Sequence, residues 1–85
     1  MPTMKPIVNL NGSSRHSLIE ARKKARIAIV DAMDAMRDMA PHGRDYIGNA
    51  EALGRDAEVF SSRMMALRQM EEDILSEALA LFGSN

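Results

Sequence analysis

Eighty-five residues without a single cysteine make at most one small domain, with no disulfide to staple it and no thiolate to bind metal or attack a substrate. The net charge of −1 argues against a dedicated nucleic-acid or membrane-surface binder, and no apolar run approaches the ~20 residues that span a bilayer. Hydrophobic residues make up 46% of the chain but aromatics only 4%, and the abundant Ala, Met, Leu, Arg and Glu are strong helix formers. The composition predicts an all-α fold.

Residues 1–12 read as an arm. Pro2 and Pro6 forbid a regular helix, and Ile7, Val8, Asn9 and Leu10 form a short extended stretch ending at Gly12. Met1 to Leu10 holds one Lys and no apolar h-region, so no secretory signal is expected and a cytoplasmic location is the plain reading.

Residues 13–85 are expected to form a helical hairpin. Ser13 or Ser14 caps the first helix, and Ser17 to Glu20 also fits a capping box. This helix spans about 14–39, with Leu18, Ala25, Ala32 and Met39 recurring every seven residues and Ile29 and Met36 between them. Pro41 and Gly43 stop it, Gly43 supplying a left-handed turn, and a turn over 40–49 sends the chain back antiparallel. The second helix spans about 50–82, capped by Asn49 and closed by Gly83. Leu53, Phe60, Leu67, Ile74 and Leu81 form its seam with Ala57, Met64 and Ala78, and Glu71 is the one charge on it. Folding about residue 45 sets residue 18 near residue 72 and leaves the end of the second helix overhanging, with Leu75, Leu79 and Phe82 exposed. Ile7, Val8 and Leu10 are placed to cover part of that overhang.

More apolar residues are present than two helices can bury. Ile19, Val30, Met33, Val59, Met65, Met70 and Leu75 lie off the seams, and all of these but Ile19 form a dimer or partner face. The simplest assembly is a homodimer closing a four-helix bundle. Of the methionines that cluster mid-hairpin, Met65 and Met70 are the better interface candidates, since flexible thioethers suit both adaptable surfaces and irregular cores.

The turn concentrates His42, Arg44, Asp45, Tyr46 and Ile47, and Tyr and Arg often anchor interfaces. The competing reading is a structural loop in which Tyr46 packs back on the helix ends and Arg44 pairs with Asp45. Arg22, Lys23, Lys24 and Arg26 form a basic run that could grip phosphates. Internal pairing with Glu71, Glu72, Asp73 and Glu77 on the second helix explains it without a ligand and is favoured. His16 and His42 have no companion at metal-ligand spacing, and Asp31, Asp34 and Asp38 read as a solvated stripe beside Arg37. No catalytic constellation, metal or cofactor is expected.

Asn9-Leu10-Asn11-Gly12-Ser13-Ser14 before the first helix, with Pro41-His42-Gly43-Arg44-Asp45-Tyr46 at the turn, resembles a group of small two-helix proteins of tailed bacteriophages and prophages. Members of that group carry an L-N-G-[ST]-S opening and an [HN]-G-R-D-Y turn. The resemblance covers nearly the whole chain and implies a phage-encoded accessory protein. Its partner would be a bacterial host protein that it binds and modulates. Two other readings stay open: a structural or assembly component of a phage particle, and a small nucleic-acid-binding regulator.

Overall fold

A computed structural model of the chain describes residues 3–8 and 14–83. The break at Gly12 and the Asn9–Leu10 end of the extended stretch lie outside the described residues. Helix α1 runs Arg15–Arg37 and helix α2 Ala50–Phe82, and no strand forms among the described residues.

Side-chain caps start both helices. Ser14 Oγ accepts the amide of Ser17 at 3.0 Å, so Ser14 is the cap of α1 and Ser17 sits inside the first turn. Asn49 Oδ1 accepts the amide of Ala52 at 3.0 Å and opens α2 where the sequence places it. The amide of Gly83 donates to Leu79 and closes α2. α1 ends two residues short of expectation. Met39 and Ala40 bond three residues back, to Met36 and Arg37, because Pro41 disfavours helical backbone at the residue before it. The linker then makes a single 3₁₀ turn, Gly43–Asp45. The left-handed residue is Gly48, at φ 77°, and not Gly43 as the sequence suggested. The reversal comes just before the Asn49 cap, where the chain must swing onto the α2 axis.

α1 and α2 pack antiparallel, but not in the expected register. Arg22 Nε donates to Glu77 Oε1 at 3.0 Å, and Arg26 donates to Glu71 Oε1 at 2.6 Å. Residue 18 therefore lies opposite the last turn of α2 and not near residue 72. The end of α2 does not overhang. Instead α1 stops opposite a point about three turns into α2, and the long linker lies beside the first turns of that helix. The molecule is a rod with Cα dimensions of 63 × 20 × 17 Å.

The inner face of α1 also differs from the apolar series. Of that series Leu18, Ala25, Ile29 and Met36 are half-buried and Ala32 and Met39 exposed, while Ile19 and Met33, expected off the seam, are the buried residues of α1. The reason is that Arg22 and Arg26 belong to this face. They share it with Ile19, Ile29 and Met33 and turn it away from Ala32. On α2 the expected seam holds at Leu53, Phe60, Met64, Leu67, Ile74, Ala78 and Leu81, all buried or half-buried, while Ala57 is exposed.

Glu77 is the one buried charged residue among those described. Its side chain is 4% exposed, against 12% for Arg22. Oε1 takes Arg22, Oε2 takes the amide of Met4 at 3.0 Å, and Arg22 Nη1 donates on to the carbonyl of Leu18. Residues 3–6 thereby lie beside Ala80 and Leu81. Ile7, expected to cover α2, is 82% exposed, and Val8 is half-buried.

Removing one partner of such a pair strands the other as a buried charge, whereas replacing both by apolar groups does not. Arg22→Leu or Glu77→Leu alone is expected to cost about 3 kcal/mol. The double variant should recover most of that loss. Urea unfolding followed by circular dichroism at fixed protein concentration checks this, and purely additive losses would show the two side chains to be uncoupled.

Candidate functional site

Few side chains are buried in this hairpin. Among the described residues the buried apolar side chains are Ile19, Met33, Ala78 and Leu81, and no side chain is fully enclosed. Against those four, ten large apolar side chains are exposed, among them Ile27, Val30, Val59, Met65, Leu79 and Phe82. Large contiguous apolar patches on a folded chain are a mark of interaction surfaces.

One surface lies along the helices. Ile27 and Val30 of α1 open onto a groove shared with Lys23, Arg26 and Glu71. Glu71 places that groove on one side of α2, and Arg68 and Leu75, three before and four after it, share that side. Of the residues assigned to an apolar face from sequence, Val30, Val59 and Met65 are exposed and Met70 and Leu75 are half-buried. Met33 is not available to a partner. It is 8% exposed and fills the hairpin interior beside Met64. Val59 stands apart from the groove, near Tyr46 and Asp56 at the turn end. Ile27, 61% exposed, escaped the sequence reading because it sits within the basic run.

The second surface is the turn. Tyr46 is half-buried, and its hydroxyl donates to Asp56 Oδ2 at 2.7 Å, tethering the linker to the second turn of α2. His42 Nδ1 accepts the amide of Arg44 at 3.2 Å and caps the 3₁₀ turn. Ile47, next to the tethered tyrosine, is 87% exposed. Arg44 and Asp45 are exposed, and no ion pair joins them among the described residues, contrary to the structural-loop reading. Tyr46 itself does pack back as that reading requires. The turn is thus both held and presented, with its tyrosine inside and its isoleucine outside. Asp56 was not singled out from sequence, and nothing in its spacing from Tyr46 marks it before the linker's path is known.

The basic run divides. Arg22 and Arg26 are engaged by Glu77 and Glu71, as the internal-pairing expectation held. Lys23 bonds Glu20 on its own helix, and Lys24 is exposed. Asp73 accepts from Gln69 at 3.0 Å, and Glu72 is exposed. Among the described residues no group of three or more His, Asp or Glu side chains is placed to hold a metal ion. No helix among them is long and apolar enough to cross a membrane.

Compared with family models, curated proteins and solved structures, the chain matches none of them.

The Tyr46 hydrogen bond holds the Asp56 carboxyl below its ordinary value of 3.8, aided by Arg55, while the same bond raises the tyrosine. A carboxyl lowered by folding contributes stability above its unfolded pKa, and that contribution is lost as pH falls through the lower folded value. Tyr46→Phe should therefore raise the Asp56 midpoint toward the ordinary value in a carboxyl-carbon NMR titration. An unmoved midpoint would mean that the tether does not form in solution.

Proposed function

We propose that this chain is a non-enzymatic protein–protein interaction module whose turn engages a bacterial host protein. The observation that carries the reading is the balance of apolar surface: the hairpin leaves more large apolar side chains exposed than it buries. The turn suits a heterologous partner because it is pre-organised. The Tyr46–Asp56 bond, the His42 and Asn49 caps and the left-handed Gly48 fix its backbone before binding, so little ordering entropy is left to lose. Ile47 then projects as an apolar anchor with Arg44 nearby.

The likeness of the opening and turn motifs to phage proteins supports a host protein as the partner and an accessory, modulating role inside the bacterial cell. The nucleic-acid reading has less support, since the two arginines of the basic run already face Glu71 and Glu77 at close range. A particle-assembly role would use the same surfaces, and it predicts co-purification with particles rather than with a host protein.

The test is capture from bacterial lysate by the immobilised chain, followed by an affinity measurement on the purified catch. Ile47→Ser combined with Arg44→Ala should weaken binding by on the order of tenfold or more, the size expected when an interface anchor is truncated, with helix content unchanged. Equal affinity for the variant would remove the turn from the account.

A further inference from the structure

α1 carries a stripe that complements itself when reversed. Glu20, Lys23, Ile27, Val30, Asp34 and Arg37 follow one another at spacings of three and four, so they share one side of the helix. Lys23 bonds Glu20 and Arg37 bonds Asp34 along the stripe, and all four side chains are at least two-fifths exposed. Ile27 and Val30 between them are exposed as well. Read along α1 the order is acid, base, apolar, apolar, acid, base. Laid against a reversed copy about the midpoint of Ile27 and Val30, Lys23 falls opposite Asp34 and Glu20 opposite Arg37. Ile27 meets Val30. Self-complementarity under reversal is the signature of a surface that sits on a two-fold axis.

The middle of a second stripe obeys the same axis. The groove beside Ile27 and Val30 includes Glu71, and along that side of α2 run Met65, Arg68, Glu72 and Leu75, again at spacings of three and four. Leu79 and Phe82 continue the stripe but fall opposite Ser61 and Glu58, outside its matched part. Reversed about the midpoint of Arg68 and Glu72, those two charges fall opposite each other and Met65 meets Leu75. The hairpin register decides whether one axis can serve both stripes. With Arg22 opposite Glu77 and Arg26 opposite Glu71, the two midpoints face each other within about one residue, or ~1.5 Å along the helix. Nothing in either stripe alone required that agreement.

We propose that this face binds a second copy of the chain as an antiparallel, isologous four-helix bundle, α1 against α1 and α2 against α2. The inference rests on the interaction-module reading and names the occupant of one of its two surfaces. Parallel packing of the same stripe would set Lys23 on Lys23 and Asp34 on Asp34. The size also fits. The 23 residues of α1 span ~34 Å, and with the 20 Å breadth of the molecule they offer about 700 Å² per copy, close to the ~800 Å² of a standard interface.

Charge reversal tests the geometry. Lys23→Glu alone sets two like-charge contacts across the axis, and Asp34→Lys alone does the same. Each should weaken self-association by on the order of tenfold, since every contact changes from attraction to repulsion and occurs twice. Mixed in equal amounts, the two variants should pair with each other at near wild-type affinity, because in the mixed dimer each substituted side chain meets its opposite. Residues 23 and 34 are three helical turns apart within one chain, so rescue has to pass between chains. Native mass spectrometry reads the mixed species directly. No preference for the mixed pair, or a wild-type chain that stays monomeric up to millimolar concentration, would overturn the proposal. Ile27→Asp, at an exposed position, should abolish the dimer and spare the helices and capture through the turn. Loss of capture by the turn variant alone would instead bear on the host-protein reading.

Discussion

Two arginine–glutamate pairs hold the register of this hairpin, and the placement of every surface follows from that register. An apolar seam that repeats every seven residues tolerates a slip of seven wherever Leu, Ile and Met exchange places, since volume-conserving swaps among them cost little. The pairs do not tolerate it. Moving α2 by one heptad would bring Met70 to the place of Glu77 and Met64 to the place of Glu71, leaving two arginines on the inner face without a counter-charge. Glu77 is tied further, since its second oxygen holds the amide of Met4 and brings residues 3–6 against the end of α2. Both carboxylate oxygens are satisfied. That is the condition under which a buried charge is tolerated.

The register has two structural consequences. It stops α1 well short of the start of α2, so the linker has to run beside the exposed first turns of that helix before it can cap at Asn49. The Tyr46–Asp56 bond fastens that run, and Ile47 is presented at its end. It also sets the Ile27–Val30 stripe of α1 level with the Arg68–Glu72 stripe of α2, which lets a single two-fold axis serve both in the dimer proposed here. A two-helix unit of this size buries too little to stand on packing alone. In this account the missing core is supplied across that axis, which leaves the turn free for a different protein.

Both helices could be read from the sequence because heptad spacing and caps agree. Asn49 and Gly83 bracket α2 where expected, and Ser14 is one of the serines offered for α1. The pairing of the basic run with acidic residues of α2 was also legible, being a matter of charge order along two antiparallel helices. The register was not. Placing the fold point at residue 45 assumed a tight turn, and the actual path depends on a tyrosine–aspartate contact that no local spacing announces. The α1 face is legible only in part, for a related reason. Apolar periodicity places Leu18, Ala25, Ile29 and Met36 inward, as they are, but it does not mark Arg22 and Arg26 as inner residues. Met33 was consequently assigned to the outside, and Ile27, hidden among Lys23, Lys24 and Arg26, was passed over.

A hairpin that is half of a core must pair in solution. Light scattering on a size-exclusion column, over a tenfold range of loading, tests this most directly. The expected molar mass is twice that of the 9.4 kDa chain, falling toward the monomer only at the dilute end. A mass of one chain at every loading, with both helices fully formed, would show that α1 and α2 suffice by themselves and would contradict the account.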